Sequence, residues 1–325
     1  MLRREFTKLA LGLPLALASS RGARAQTTTI TVMVFLGMQT LPLLAARSRG
    51  FFAGRGLRVE VLNTKGAGEL PVGLVDGRWQ IVHSTSDNAV GMVDVDKLDV
   101  ALIIGGDNAF NHLIVRPDIN SISELRGKTI VVDTATSGYA YLLYALLKKH
   151  GLNTGDYIIK PVGATARRLE AMQVDSNNKA AILNQPFAIQ AVKSGLKDLG
   201  TTSSMMGPYQ GTSGYTLKSW AAANSETLVK YLQAYIEGLR WVLDPANKDG
   251  ATKVLADGLG VPSDIAAAMY AIVTDKTDGF IKDGAFDLEG FQNVLKLRAE
   301  YLGRQPEPPG KYLDLSYYRR ALATL

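Results

Sequence analysis

The stretch from Lys128 to Gly151 constrains the fold most, because it reads as a strand, a loop and a helix in direct succession. The β-branched run from Thr129 to Val132 is long enough for a buried strand. Small residues follow as far as Ser137, which suits the N-cap of a helix, and apolar residues then recur at helical spacing. Such a turn presents unpaired backbone N–H groups beyond the carboxyl end of its strand. An isolated turn of this kind is usually ordinary structure, but several similar turns occur along this chain.

Four earlier strands are predicted, and each one ends in a polar loop. The strands span 29–36, 57–62, 79–83 and 100–104, and the loops are 37–40, 63–68, 84–88 and 105–108. Strands that alternate with helices at this spacing predict a parallel, doubly wound α/β sheet. Ligands of such sheets sit beyond the carboxyl ends of the strands, where all of these loops fall. The pattern restarts at Ser121, and helices dominate from Asn224 onward.

The first 25 residues are typical of an export signal rather than of the fold. A basic start precedes an apolar segment from Leu9 to Ala18, and Ala23-Arg24-Ala25 fits an A-x-A cleavage site. The Arg3-Arg4 pair favours the twin-arginine route, with a general secretory signal as the alternative. The apolar segment is too short to span a bilayer. We therefore predict a soluble protein that is exported to the periplasm.

Removing residues 1–25 also removes most of the positive charge. The chain has a formal net charge of +6 from 36 Lys+Arg and 30 Asp+Glu. Five of the basic and one of the acidic residues belong to the signal, which leaves +2. This balance does not predict binding to nucleic acid or to a membrane surface. The chain also lacks cysteine, which excludes disulfides, thiolate metal sites and a lipid anchor on cysteine.

Patterns for catalysis and metal binding are weak. The three histidines, His83, His112 and His150, show no metal-ligand spacing, and structural or capping roles fit them better. The run Gly66-Ala67-Gly68 lacks the third glycine of a dinucleotide fingerprint. Ser213 does not lie in a G-x-S-x-G motif. We predict no catalytic residue, no metal site and no cofactor.

Six short segments occur in an order and at a spacing that one protein family shares. They are Leu44–Arg47 before Gly50-Phe51-Phe52 and Gly56–Val59, Ile122–Lys128, Ser137-Gly138, Gly163–Met172, Ala181–Phe187 and Lys311–Asp314. In this order they resemble the periplasmic solute-binding proteins of nitrate/taurine/alkanesulfonate-type ABC importers, which share the type II binding-protein fold. The resemblance covers nearly all of residues 29–325.

The resemblance implies an α/β protein with two lobes, doubly wound sheets and a cleft between the lobes. Lobe 1 would comprise residues 27–114 and 218–325, and lobe 2 residues 115–217, with crossings near Val115 and Thr216. The implied function is the solute-binding component of an ABC importer, which captures a small organic solute and delivers it to a permease. That permease would lie in the inner membrane with a cytoplasmic ATPase. The binding protein itself would be a monomer and not an enzyme.

The solute is expected to contact the strand-to-helix turns of both lobes. Ser137 and Gly138 would present a hydroxyl and backbone N–H groups to it. The full set of expected contacts is Met38, Gln39, Thr40, Gly66, Ser86, Asp87, Asn88, Asn108, Thr136, Ser137, Gly138, Tyr139, Asn184, Gln185 and Tyr209. Because the cleft loops contain no arginine, a neutral or carboxylated solute is favoured over a sulfonate or a phosphonate.

Two other functions are compatible with the same resemblance. One is an enzyme on this fold, such as a thiamine-pyrimidine-precursor synthase, although the cysteine cluster of that family is missing here. The other is an exported module that presents its ligand to a membrane receptor. The sequence does not separate sensing from transport.

Overall fold

The computed structural model describes residues 27–276 and 278–325, so the predicted export signal lies outside the described residues. The described chain forms two five-stranded sheets with helices packed around them. The strands are β1 (Thr28–Val34), β2 (Leu57–Asn63), β3 (Ile81–Thr85), β4 (Val100–Ile104), β5 (His112–Val115), β6 (Thr129–Val132), β7 (Ile158–Pro161), β8 (Asn178–Leu183), β9 (Lys197–Thr201) and β10 (Thr212–Leu217). Sheet 1 has the order β2-β1-β3-β10-β4, and sheet 2 has the order β7-β6-β8-β5-β9.

The helices fill the connections and form most of the C-terminal third. They are α1 (Leu41–Ser48), α2 (Glu69–Val75), α3 (Ser86–Asp94), α4 (Gly138–Lys149), α5 (Thr165–Val174), α6 (Phe187–Lys193), α7 (Thr202–Met206), α8 (Lys218–Ala223), α9 (Ser225–Leu243), α10 (Lys248–Leu259), α11 (Ser263–Val273), α12 (Leu288–Tyr301) and α13 (Ser316–Ala323). None of the helices in the described ranges is both long enough and apolar enough to cross a membrane.

Both sheets are mixed rather than fully parallel. In sheet 1, β1 pairs in parallel with β2 and β3, whereas β10 runs antiparallel between β3 and β4. In sheet 2, β5 runs antiparallel to β8 and β9. Each reversed strand is the first one that the chain enters after it changes sheet. The prediction of a purely parallel arrangement is therefore corrected, since the two crossings reverse the chain direction.

The chain crosses between the sheets in the segments 105–111 and 202–211. The predicted crossings near Val115 and Thr216 fall at the far ends of β5 and β10, so each is displaced by one strand. The cause is that an apolar run shows that a strand forms but not which sheet it joins. We use lobe 1 for sheet 1 with its helices and lobe 2 for sheet 2 with its helices.

A continuous apolar core joins the two lobes. Buried Leu102 and Tyr215 of sheet 1 belong to the same cluster as Leu113 and Ile130 of sheet 2. A second cluster covers the opposite face of sheet 1, where α9 packs its apolar side. The two lobes are therefore packed against one another through shared apolar residues as well as joined by the crossing segments.

Helix α12 packs against both lobes, because it contacts α3 of lobe 1 and α4 of lobe 2. The ring of Tyr301 stacks on that of Tyr141 with their centroids 5.4 Å apart. Arg298 of the same helix places its guanidinium 5.7 Å from the Tyr141 ring centroid. The C-terminal region therefore bridges the lobes in addition to extending lobe 1.

Candidate functional site

A cavity lies where the carboxyl-terminal edges of the two sheets face one another. It encloses about 620 Å³, part of which is open solvent. Lobe 1 contributes residues that follow β1, β2 and β3, together with Thr212 at the start of the reversed strand β10. Lobe 2 contributes residues that follow β6, β7 and β8. The site therefore occupies the place that the strand-and-loop pattern predicts.

Seven of the fifteen expected contact residues line this cavity. They come from both lobes, and all lie after the carboxyl end of a strand. They are Gln39, Gly66, Asn88, Ser137, Gly138, Tyr139 and Asn184.

Four of the other expected residues lie outside the cavity lining because they hold the scaffold beside it. Met38 is fully buried against the helices of the C-terminal region. The hydroxyl of Thr40 donates to the Gly37 carbonyl at 2.6 Å, and that of Ser86 donates to the Gln210 carbonyl at 2.6 Å. Gln185 accepts a hydrogen bond from a backbone N–H of α6 at 3.0 Å through Oε1.

The remaining four are also outside the lining. Asp87 is buried and accepts a hydrogen bond from Arg298 at 2.7 Å. Asn108 and Tyr209 line a different cavity beside the crossing segments. Thr136 is exposed. Successive residues at the start of a helix point in different directions, which explains why Asn88 lines the cavity and Asp87 does not.

Arg168 lines the cavity, although the sequence analysis placed no arginine there. It lies on the first turns of α5 and is only 3% exposed. Its Nη2 atom donates to the Thr165 hydroxyl at 2.8 Å, and its Nε atom is buried without a partner. Helical side chains tilt toward the N-terminus of their helix, so a residue one turn inside α5 reaches back into the cleft. That tilt is the sequence signal for Arg168, since it brings a residue that lies outside the strand-to-helix loop into the cleft.

The charge of Arg168 is balanced inside the cavity by Asp133, with Nη1 and Oδ1 3.6 Å apart. Burial lowers the pKa of Arg168 below its ordinary value, and the negative charge of Asp133 opposes that shift. Asp133 also accepts a hydrogen bond from the Ser137 hydroxyl. The cavity therefore contains an ion pair rather than an isolated positive charge.

Ser137 is the N-cap of α4, as its place in the sequence predicts. Its hydroxyl oxygen accepts from the backbone N–H of Ala140 at 3.1 Å and its proton goes to Asp133. The residue lines the cavity, but both of its hydrogen-bonding functions are already used within the protein. Its main effect is to hold the loop from Asp133 to the helix in place.

The amides of lobe 1 expose their oxygens and not their nitrogens. Gln39 donates through Nε2 to the Phe35 carbonyl at 2.9 Å, and Asn88 donates through Nδ2 to the Ser84 hydroxyl at 3.1 Å. Within the described residues, the side-chain oxygens of both amides accept no hydrogen bond from the protein. In lobe 2, Asn184 has a buried Oδ1 atom that also lacks a partner.

The model of a protein family described as NMT1/THI5 like matches residues 38–248, which is more than half of the chain. The chain belongs to the NMT1/THI5-like family. No functionally curated protein matches it by sequence.

Solved structures share the fold of this NMT1/THI5-like chain. The periplasmic nitrate-binding protein NrtA from Synechocystis PCC 6803 has a TM-score of 0.77 at 16% identity, over 92% of this chain and 89% of that one. A ligand-binding component of an ABC-type import system from Staphylococcus aureus has a TM-score of 0.75 at 12% identity, over 90% and 99%. The aliphatic sulphonate binding protein SsuA from Escherichia coli has a TM-score of 0.66 at 15% identity, over 85% and 91%. The predicted two-lobed binding-protein fold is confirmed.

The Staphylococcus aureus structure contains bound zinc. In residues 27–276 and 278–325 of the NMT1/THI5-like chain, no three side chains of His, Cys, Asp or Glu form a group that could hold a metal ion. The cavity instead offers amide oxygens, hydroxyls and one ion pair. Such groups suit an organic molecule that forms several hydrogen bonds.

Proposed function

We propose that this protein is the solute-binding component of an ABC importer. It holds a small organic solute in the cavity between the lobes and delivers it to a permease of the inner membrane. The observation that carries this proposal is the cavity itself, which is lined by polar residues from both lobes at the edges where the sheets meet. The binding proteins that share its fold support the same role.

The side chains around the cavity favour binding over catalysis. The described lining includes no histidine, and its one carboxylate, Asp133, is engaged by Arg168 and Ser137. A general base needs an available lone pair and a proton to remove within hydrogen-bond reach. We therefore propose that the protein releases its solute chemically unchanged.

The proposal includes the cellular setting that the sequence predicts. The protein is exported by the twin-arginine route, loses residues 1–25 and acts as a soluble periplasmic monomer. Solute binding closes the lobes about the two crossing segments, as in hinge-type binding proteins. The closed form is the one that the permease recognises.

A thermal-shift screen of the mature protein tests the proposal. The panel contains nitrate, alkanesulfonates, carboxylates, primary carboxamides, amines and pyrimidines. A true ligand at about 100 times its Kd adds about 2.7 kcal/mol to the free energy of unfolding. Arg168→Met is expected to weaken that ligand at least about tenfold, because a hydrogen bond from a charged group contributes about 1.5–3 kcal/mol.

Arg167→Met is the matched control, since Arg167 is the neighbouring arginine on α5, is exposed and is not among the residues that line the cavity. It should bind the ligand as the unmodified protein does. The proposal fails if no class of compound raises the melting temperature of the folded protein. It also fails if Arg167→Met and Arg168→Met reduce binding equally.

A further inference from the structure

The charged groups of the cavity cancel one another. Arg168 and Asp133 are the two charged side chains in its described lining, and their closest atoms lie 3.6 Å apart. The guanidinium attracts a solute that has a net negative charge, and the adjacent carboxylate repels it. In a site of low dielectric constant, both interactions are stronger than in water. The pair therefore gives no net preference for a simple anion.

The uncharged groups of the cavity are mainly hydrogen-bond acceptors. Gln39 and Asn88 each use their amide nitrogen inside lobe 1, at 2.9 Å and 3.1 Å, which leaves the amide oxygens available. Asn184 is only 7% exposed, and its Oδ1 atom is buried without a partner. A solute that donates to the oxygens of Gln39 and Asn88 therefore forms hydrogen bonds that the protein does not supply itself.

Fixed donors accompany these acceptors, namely the guanidinium of Arg168 and the backbone N–H groups at the first turn of α4, where Gly138 and Tyr139 line the cavity. The side chain of Arg168 is 3% exposed, and its guanidinium lies beside Asp133 and donates to the Thr165 hydroxyl at 2.8 Å. The hydroxyls of Thr85 and Thr165 also line the cavity, but a hydroxyl can donate or accept and does not discriminate between solutes. The cavity is thus best filled by a solute that supplies both hydrogen-bond donors and an acceptor.

We propose that the solute is an uncharged small molecule with at least two N–H or O–H donors and one acceptor. A primary carboxamide is the simplest group of this kind, because its NH₂ can serve the amide oxygens while its carbonyl accepts from Arg168. Nitrate or a sulfonate carries acceptors alone and would leave the oxygens of Gln39 and Asn88 unpaired. This inference rests on the proposed function, since it names the solute class of the same cavity.

Five benzene derivatives of similar size separate the possibilities, and Phe35 and Tyr139 provide aromatic surface for the shared ring. Benzamide has donors and an acceptor, N,N-dimethylbenzamide has only the acceptor, and benzoate and benzenesulfonate are anions without donors. Benzamidine is a cation that has donors but no acceptor. Isothermal titration calorimetry of the mature protein at neutral pH gives the five dissociation constants.

Benzamide is expected to bind most tightly, with at least about a tenfold advantage over the other four, because each satisfied hydrogen bond contributes about three- to tenfold. The inference is overturned if benzoate or benzenesulfonate binds most tightly, if benzamidine does, or if N,N-dimethylbenzamide equals benzamide. It is also overturned if none of the five binds at millimolar concentration. Whether the protein binds any solute at all is decided separately by the broad thermal-shift panel.

Variants of the amide side chains in lobe 1 test which groups select a solute with donors. Gln39→Leu should weaken benzamide about three- to tenfold and leave N,N-dimethylbenzamide unchanged. Gln173→Leu is the matched control, since Gln173 is exposed on α5 and lies outside the cavity lining. Asn88→Leu repeats the test at a second position if Gln39→Leu does not fold. If a folded variant loses affinity equally for benzamide and for N,N-dimethylbenzamide, the oxygen of the substituted side chain does not select solutes with donors.

Discussion

A Cβ atom added to Gly138 would lie 2.5 Å from the Cβ atom of Asp87. Gly138 begins α4 in lobe 2, and Asp87 lies on the first turn of α3 in lobe 1. Real side chains do not approach so closely, so the two helix N-termini meet only because residue 138 has no side chain. This contact forms one wall of the cavity, since Gly138 is part of its lining.

Gly138→Ala is therefore expected to push the lobes apart. Overpacking of a close contact typically costs about 1–3 kcal/mol. The variant should melt at a lower temperature, bind solute more weakly and have a larger radius of gyration in small-angle scattering. Gly54→Ala is the control, since a Cβ at exposed Gly54 would meet nothing within 4 Å. Unchanged scattering and affinity in a stable Gly138→Ala protein would contradict the expectation.

Ser137→Ala should reduce stability more than it reduces affinity. The substitution removes the cap that accepts from the Ala140 N–H, a loss of about 1 kcal/mol. Because the hydroxyl is already bonded to Asp133, we expect the solute dissociation constant to change by less than about threefold. Urea unfolding and calorimetry measure the two quantities. A tenfold or greater loss of affinity at unchanged stability would show that the hydroxyl binds the solute directly.

Thr201→Ala is a suitable control for the capping effect. Thr201 caps α7 by accepting from the Ser204 N–H at 3.2 Å, and it lies outside the cavity lining. This variant should lose stability by the same mechanism and keep its solute affinity.

Arg298→Met is expected to destabilise the protein by about 3–5 kcal/mol, because it leaves the carboxylate of Asp87 buried without its partner. The pair is 2.7 Å apart, and its side chains are 7% and 2% exposed. Urea unfolding should show that Asp87→Asn combined with Arg298→Met is less destabilising than Arg298→Met alone. The exposed pair of Lys253 and Asp257 provides the comparison, and Lys253→Met should change stability by less than about 1 kcal/mol. Similar effects at both sites would contradict this account.

His83 should make the protein sensitive to mild acid. Burial lowers its pKa from 6.5 to about 3, and its Nε2 atom lies 2.9 Å from the hydroxyl oxygen of Tyr231. The unfolded chain therefore binds a proton near pH 6.5 that the folded protein binds only near pH 3. The contribution of His83 to the free energy of unfolding is complete above pH 6.5. It decreases by about 4–5 kcal/mol in total as the pH falls toward 3.

The free energy of unfolding, measured by urea between pH 3 and 8, checks this expectation. His83→Gln should reduce the slope just below pH 6.5, where carboxylates of ordinary pKa do not yet titrate, whereas exposed His150→Gln should keep it. Asp107 acts in the opposite direction, since burial raises its pKa to about 6 and its folded form gains protons first. Comparison of the two histidine variants cancels that contribution. Equal slopes in both variants would exclude His83 as the acid-sensitive group.

The strands and the place of the site followed from the sequence because both depend on local pattern. β4 at Val100–Ile104 and β6 at Thr129–Val132 have the bounds that their apolar runs predict. Gln39, Asn88 and Asn184 were expected in the cleft because each follows a strand, and they do line the cavity.

Arg168 and the crossings could not be found in the same way. Arg168 lies inside a helical pattern, and its reach into the cleft depends on the tilt and packing of α5 against sheet 2. The crossings depend on strand pairing between residues far apart in the sequence, such as Gly214 with His83. Local periodicity indicates whether a segment is a helix or a strand and which of its residues are buried. It does not indicate which other strand a strand pairs with.

The position of β10 has a consequence for the order in which the chain folds during synthesis. β10 separates β3 from β4 in sheet 1, so the ribosome must produce residues up to Leu217 before β4 can join that sheet. All five strands of sheet 2 lie between His112 and Thr201 and are complete earlier. Domains generally fold as units as they emerge. The lobe in the middle of the chain is therefore expected to fold first, while the lobe that contains the N-terminus waits for β10, the strand that joins β4 to the rest of its sheet.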